Sequence, residues 1–194
     1  GTVTDCTFTH NESTLTGGAV SFDLGRGTLE GCTFTEDRTA SPSVVTLGGA
    51  LYVRYAPVSI SNTLFFGNYA DRSGGAICYD YDSGTTDRIE DCRFVANEAD
   101  YGGGAIADFA RDLHYRNCVF NANIARNGGA LWHNKEGNPS VDVRSDNTTF
   151  FNNSATDFGG AIVNSSVSMM TLNDCIMWGN FASSGSDIQN TGTS

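Results

Sequence analysis

The chain has 194 residues, an apolar fraction of 39%, 23 glycines against 3 prolines, and a formal net charge of −11. This length fits one domain, and the negative charge disfavours duplex DNA, RNA and anionic membrane as partners because like charges repel. No apolar run is long enough to span a bilayer and no signal peptide is recognisable, so we expect any membrane anchor to lie outside these residues.

One short motif recurs along the whole chain. Phe120–Leu131 reads F-N-A-N-I-A-R-N-G-G-A-L, and this order returns in three other places and, in weaker form, in three more. The seven copies begin at Phe8, Phe34, Phe65, Phe94, Phe120, Phe150 and Met177, with steps of 26, 31, 29, 26, 30 and 27 residues. A repeat of this length is typical of solenoids and repeat arrays.

Each repeat consists of short strand-like segments joined by turns. Apolar and polar residues alternate upstream of the first motif residue, as in Val58–Ser61 and Met170–Asn173, and this alternation predicts a strand. The Gly-Gly pair predicts a break with positive φ, and no window of ten or more residues carries a helical stripe. We therefore expect two or three short strands in each repeat and no helix.

Short strands that recur with this period predict an all-β fold, a single-stranded parallel β-helix (solenoid) of about seven coils. It forms one domain over residues 1–194, with coils of 25–31 residues. Equivalent positions of successive coils then form columns with a spacing of about 4.8 Å.

We expect three of these columns to be structural ladders. The aromatic column consists of the first motif residues named above. The aliphatic column is Val20, Leu51, Ile77, Ile106, Leu131, Ile162 and Ile188. The amide column, at a turn where side-chain amides hydrogen-bond along the stack, is Asn11, Asp37, Asn68, Asn97, Asn123, Asn153 and Asn180.

Two residues before the aromatic column the chain carries cysteine or threonine, at Cys6, Cys32, Thr63, Cys92, Cys118, Thr148 and Cys175. Exchange of Cys with Thr indicates a small, half-polar interior site and favours buried, reduced thiols. Disulfides Cys6–Cys32 and Cys92–Cys118 are the alternative, since stacked Cα atoms lie within range although parallel Cβ vectors strain the bond. No metal site or cofactor is expected, because no C-x-x-C or Cys/His cluster occurs.

Variable spacing between motifs predicts loop excursions near 38–45, 80–87 and 133–140. The second loop contains Asp80, Asp82 and Asp87. We interpret it as an acidic turn, with a calcium site built from these carboxylates as the weaker alternative.

Several isolated side chains have a structural and a functional interpretation. Trp132 is expected to pack under the third loop, and stacking on a sugar ring or a partner is the alternative. The dispersed histidines, His10, His114 and His133, are expected at the surface or in turns. Candidate glycosylation sites in Asn-x-Ser/Thr sequons, relevant to a eukaryotic source, are Asn147, Asn152 and Asn164.

The pairing of F-x-x-N with G-G-A-[ILV] resembles the repeats of chlamydial polymorphic membrane proteins and related bacterial and algal surface proteins. The four copies from Phe65, Phe94, Phe120 and Phe150 carry the resemblance most specifically. It implies a right-handed β-helix displayed outside the cell as a passenger segment with an adhesive role. It implies no catalytic residue.

Catalysis is not expected. Pectin hydrolases of this fold carry paired aspartates, Gly-His-Gly and Arg-x-Lys, and the chain has none of these patterns. We expect a non-catalytic, extracellular cell-surface protein that acts in adhesion or as a structural module. Its expected partners are protein surfaces, identical subunits at the coil ends, a host or cell-surface receptor, or a glycan, without nucleic-acid binding or membrane insertion. The alternatives are a subunit of an extracellular filament or sheath assembled through coil ends and, with less support, a polysaccharide-binding or polysaccharide-cleaving β-helix.

Overall fold

The computed structural model describes residues 1–41, 44–81, 86–109, 111–134, 142–165 and 169–190. These residues form 27 strands, numbered β1–β27 in chain order, and no helix. None of the described segments therefore provides a long apolar helix that could cross a membrane. All strand pairs are parallel and form four sheets, and the chain visits sheets I, II, III and IV in turn before it begins the next coil. The predicted all-β parallel β-helix is confirmed.

Sheets I and II each contain seven strands. Sheet I consists of β1 (Thr2–Thr4), β5 (Gly27–Glu30), β9 (Val58–Ser61), β13 (Asp87–Glu90), β17 (Leu113–Arg116), β21 (Val143–Asp146) and β25 (Met170–Asn173). Sheet II consists of β2 (Thr7–Thr9), β6 (Thr33–Thr35), β10 (Leu64–Phe66), β14 (Arg93–Val95), β18 (Val119–Asn121), β22 (Thr149–Phe151) and β26 (Ile176–Trp178).

Sheet III contains six strands and sheet IV seven. Sheet III consists of β3 (Glu12–Ser13), β7 (Arg38–Thr39), β11 (Tyr69–Ala70), β15 (Glu98–Gly102), β19 (Ile124–Asn127) and β23 (Ser154–Phe158). Sheet IV consists of β4 (Val20–Asp23), β8 (Leu51–Arg54), β12 (Ile77–Asp80), β16 (Ile106–Asp108), β20 (Leu131–His133), β24 (Ile162–Asn164) and β27 (Ile188–Asn190).

A coil therefore holds up to four strands, and the expected two or three is wrong. The strands of sheet III in the first three coils are only two residues long. Two residues cannot display an alternating pattern, so the sequence carries no signal for them. The seven coils make six complete turns between Phe8 and Met177, which lie in β2 and β26 of the same sheet.

The interior is filled by side chains that stack from coil to coil. Neighbouring rings of the aromatic column have centroids 4.7–4.9 Å apart and planes within 8° of parallel. The aliphatic column is in register along sheet IV from Val20 to Ile188. Together these columns form one continuous core, so the solenoid is packed rather than hollow.

The Gly-Gly pair is required on two different grounds, as coil three shows. Gly74 has φ of 70°, a left-handed conformation that other residues adopt with strain. A Cβ on Gly75 would lie 2.2 Å from the carbonyl oxygen of Gly104 in the next coil. The first glycine thus serves the turn and the second the close approach of coils.

The amide column forms a buried hydrogen-bonded ladder. Asn97 Nδ2 donates to Asn123 Oδ1 at 3.0 Å and to the Phe65 carbonyl at 3.1 Å. Its own Oδ1 accepts the backbone and side-chain N–H groups of Asn68 at 3.0 and 2.9 Å. Each amide therefore satisfies polar groups of three coils that the turn would otherwise leave unpaired.

The Cys/Thr column has a local explanation. Each thiol or hydroxyl donates to the carbonyl two residues earlier, at 2.8–3.3 Å, in all seven coils. The intervening residue has positive φ in every coil, which brings donor and acceptor together. Cysteine and threonine interchange because both are small donors.

All six cysteines are unpaired thiols, so the alternative disulfides Cys6–Cys32 and Cys92–Cys118 do not form. Burial is limited to the middle of the column, because Cys6 in the first coil is exposed and Cys175 in the last is partly exposed.

Strand residues lie at the edges of the three expected excursions. Arg38 and Thr39 form β7, Asp80 ends β12 and Asp87 begins β13, while His133 ends β20. Residues 42–43, 82–85 and 135–141 lie outside the described residues. Spacing between motifs locates extra residues but not where ladder pairing stops, so the excursions stay predictions.

Candidate functional site

Two of the three carboxylates proposed as a calcium site, Asp80 and Asp87, have other partners. Asp87 is buried at the start of β13, where its Oδ2 lies 2.7 Å from Arg111 Nη1. Asp80 accepts a hydrogen bond from the Tyr52 hydroxyl at 2.6 Å. Asp82 lies outside the described residues, among which no group of three metal-binding side chains occurs. Asp87 is therefore a core ion-pair residue and not a loop ligand.

One histidine departs from the expected surface position. His133 is fully buried, with Nδ1 3.2 Å from Asp108 Oδ2, because it ends β20 with its side chain directed inward. His114 is half-buried and lies 2.7 Å from Asp146. His10 is exposed and lies 2.6 Å from Glu36.

The three sequons differ in accessibility. Asn147 and Asn152 are exposed and occupy left-handed turn positions, with φ of 54° each. Asn164 is 2% exposed and its Nδ2 donates to Asn190 at 3.5 Å. Burial in the folded chain disfavours a glycan at Asn164, and glycosylation of Asn147 and Asn152 stays a prediction.

A surface depression of about 680 Å³ lies beside sheet I. Two of its charged groups are paired with each other, since Asp146 accepts a hydrogen bond from Arg144 Nε at 2.7 Å and another from Asn173 Nδ2 at 2.8 Å. These contacts lower the pKa of Asp146 below its ordinary value, with the Arg144 hydrogen bond as the largest cause. A set of paired surface charges offers little to a ligand.

The outer face of sheet IV carries a second apolar cluster, separate from the solenoid core. One outward column of this sheet is buried although it faces away from the interior: Tyr52, Cys78, Ala107, Trp132 and Val163. Leu47, Tyr101 and Phe109 cover it from the neighbouring corners of the coils. Outward strand positions are normally solvated, so this cover marks a specialised surface.

Trp132 is the centre of this cluster. It is 7% exposed and packs edge-on against Tyr101 and Phe109, each with a centroid distance of 5.3 Å. A Cβ on Gly102 would lie 2.3 Å from the indole, so Gly102 leaves the space that Trp132 fills. Trp132 thus has a packing role among the described residues, whereas most of the third loop, under which it was expected to pack, lies outside them. The extra glycine of Gly102–Gly104 was the overlooked sequence signal.

A two-chambered groove follows this cluster. The larger chamber, about 490 Å³, is lined by Val45, Leu47, Arg72, Asp80, Tyr81, Tyr101, Phe109, Trp132 and Asn134. The smaller, about 280 Å³, is lined by Tyr101, Asn127, Trp132, Asn134, Phe158, Val163 and Ser165. Three residues belong to both chambers, so the two form one surface, which we call the aromatic groove. It crosses coils two to six, a length of about 19 Å at about 4.8 Å per coil.

The aromatic groove combines exposed rings with charged and amide side chains. Tyr81 is 51% exposed and stacks on Tyr55 at 4.9 Å, and Arg72 lies over the Tyr101 ring at 5.0 Å. Asp80 holds the Tyr52 hydroxyl, and burial together with this hydrogen bond raises the pKa of Tyr52 well above its ordinary value. Apolar concavities with a few fixed polar groups are typical of small-ligand sites.

The fold defines a repeat solenoid of the parallel β-helix class. Residues 62–80 and 147–165 match the Chlamydia polymorphic membrane protein (Chlamydia_PMP) repeat. The chain therefore carries repeats similar to those of this family, which confirms the resemblance drawn from the F-x-x-N and G-G-A-[ILV] motifs.

A curated relative supports the same relationship. The chain is 31% identical over 147 residues to the probable autotransporter YfaL of Escherichia coli (strain K12), an alignment that covers 66% of this chain. It spans only 12% of the length of that relative. No solved structure matches the chain.

Proposed function

We propose that this chain is a non-catalytic, ligand-binding segment of an outer-membrane or cell-surface protein, and that its role is adhesion. The observation that carries the proposal is the aromatic groove, an accessible concavity on a rigid solenoid. The matching repeat family and the curated relative both support surface display, since the family is described as a membrane protein repeat and the relative as a probable autotransporter. Extended solenoid surfaces are well suited to binding large partners.

A binding role is favoured over catalysis by the groove's composition. Its described lining contains one carboxylate, Asp80, which already accepts the Tyr52 hydroxyl. Hydrolysis of a glycosidic bond ordinarily uses two carboxyl groups that flank the bond. The described lining thus supplies binding surface without an acid–base pair.

The adhesive role can be tested by display. The 194-residue chain would be fused to a surface carrier in a non-adherent laboratory bacterium, and adherence to epithelial monolayers would be counted. We expect several-fold more adherent cells than with the carrier alone. Adherence equal to that of the carrier would contradict the adhesive role, and release of reducing sugar from added polysaccharide would contradict the non-catalytic one.

Assembly into a filament through coil ends stays a prediction. Light scattering of the isolated chain over a range of concentrations would test it.

A further inference from the structure

The aromatic groove carries an inference about ligand chemistry that rests on the proposed function. We propose that it binds a neutral glycan of hexopyranose units, laid along the solenoid axis across coils two to six. Three properties of the groove favour this class of ligand: its exposed rings, the polar groups interleaved with them, and its charge.

The rings supply the apolar half of the recognition. A pyranose presents C–H groups on its face, and these pack against the electron-rich face of an aromatic ring. Tyr81 is half exposed at one end of the groove, and Phe158, 45% exposed, lies at the other. Tyr101 and Trp132 lie between them and contact both chambers. Platforms at both ends suit an oligosaccharide better than a single sugar.

The polar side chains supply the other half. Arg72 and Asp80 line the larger chamber, Asn127 the smaller, and Asn134 both. Carboxylate, guanidinium and amide groups are planar and can bond two neighbouring hydroxyls at once. Asp80 is already held by Tyr52 and Asn127 by its bond to the Tyr101 carbonyl at 3.3 Å. These groups are therefore preorganised, which reduces the entropy lost on binding.

Charge selects a neutral ligand. The charged residues of the described lining are one arginine and one aspartate, so the groove has no net charge of its own. The whole chain carries −11, which opposes the approach of uronate or sulfated polymers.

Size argues against a folded protein as the main occupant. Thirteen described residues line the two chambers, whereas a stable protein interface uses roughly 20–30 residues a side. The larger chamber, at about 490 Å³, lies within the range of about 300–1,000 Å³ typical of small-ligand sites.

The test uses the purified 194-residue chain with Trp178→Phe, which leaves Trp132 as its single tryptophan. Maltotriose, cellotriose, chitotriose, mannotriose and β-1,4-galactotriose would be titrated with fluorescence and calorimetry as readouts, and trigalacturonate would serve as the acidic comparison. We expect saturable binding of at least one neutral trisaccharide with a change in Trp132 emission. Trigalacturonate should bind more weakly than galactotriose.

Tyr81→Ala should raise Kd about tenfold or more, because it removes one ring contact with the sugar. A tenfold change in Kd corresponds to about 1.4 kcal/mol. Phe66→Ala is the matched control, because Phe66 is 41% exposed on sheet II, away from the groove, and should change Kd less than twofold. No binding of any neutral trisaccharide, equal binding of the acidic one, or an unaffected Tyr81→Ala variant would each overturn the proposal. If no trisaccharide binds while bacteria that display the chain still adhere, the glycan proposal is wrong and the adhesive role stands. If a neutral trisaccharide binds while the displayed chain gives no adherence, the adhesive role alone is wrong.

Discussion

Arg111 and Asp87 form an ion pair inside the solenoid, with Nη1 2.7 Å from Oδ2 and both side chains at most 1% exposed. Arg111 also donates to the Ala56 carbonyl at 2.7 Å, and Asp87 accepts the Val58 amide at 3.0 Å. Burial raises the pKa of Asp87 to about 6, against the lowering effect of the Arg111 charge, so most of this carboxylate is ionised at pH 7.

Asp87→Asn should lower the free energy of unfolding at pH 7 by about 3–5 kcal/mol, because it removes the negative charge that is paired with the buried Arg111 guanidinium. Asp157→Asn is the control, since it breaks the exposed pair with Arg126, 2.6 Å apart, and should change stability by less than about 1 kcal/mol. Urea unfolding of both variants measures the difference. Equal losses would show that burial does not govern the strength of this pair.

Neighbouring residues of β9 provide a test of the interior columns. Ile60 points inward and is 1% exposed, whereas Ser59 is exposed on the same strand. Ile60→Asp places a charge in the packed core and should destabilise by roughly 4 kcal/mol or more. Ser59→Asp, which would lie beside Arg88 of the next coil, should be nearly neutral. Thermal melts compare the two, and similar melting temperatures would contradict the inward assignment of Ile60.

Asp37 is the weak point of the amide ladder. It is fully buried, and its Oδ2 has no hydrogen-bond partner within the described part of the chain. At the equivalent position of the next coil, Asn68 Nδ2 donates to Asn97 Oδ1 and to the Phe34 carbonyl. Asp37→Asn would supply the missing donor and should raise stability at pH 7 by about 1–2 kcal/mol.

The same substitution has a predicted pH dependence. Burial raises the pKa of Asp37, and a folded-state pKa above the unfolded value means that the natural chain gains stability as the pH falls through that range. The advantage of Asp37→Asn should therefore be largest at neutral pH and shrink towards pH 4. Chemical unfolding at a series of pH values measures it, and a constant advantage would show that Asp37 does not titrate in this way.

The Cys/Thr column predicts which replacements are tolerated. Cys118 Sγ donates to the carbonyls of Arg116 and Ile89, each at 3.3 Å. Cys118→Thr retains a hydrogen-bond donor, whereas Cys118→Val has the shape of threonine without a donor. The free energy of unfolding of the threonine variant should therefore be higher by about 1 kcal/mol. Equal stability of the two would mean that the column selects for size alone.

Thiol labelling should separate the ends of this column from its middle. Cys6 is exposed and should react in the native state, whereas Cys92 is buried and should react only after denaturation. Contact with the Cys118 thiol, together with burial, raises the pKa of Cys92 and suppresses the reactive thiolate. Mass spectrometry of labelled peptides gives the order, and rapid native labelling of Cys92 would be inconsistent with the packed interior.

The ladders could be predicted from the sequence because repetition imposes the pairing. When each coil carries Phe, Asn and Gly-Gly in the same order, stacking one coil on the next places like residues in register, as Phe65 and Phe94 show. The parallel β-helix, its inward columns and the repeat resemblance all follow from this order. Only the two-residue strands of sheet III, such as Glu12–Ser13, were too short to leave a pattern.

The groove and the buried polar pairs were decided by the tertiary structure. Leu47, Tyr101, Phe109 and Trp132 come from three different coils, and stacking of the coils brings them together on the outer face of sheet IV. Asp87 and His133 looked like loop residues because motif spacing does not show where strand pairing stops, and pairing directs both side chains inward. The positions of residues that recur in every coil follow from the repeat period. The surroundings of residues that occur once depend on which side chains of neighbouring coils stack beside them.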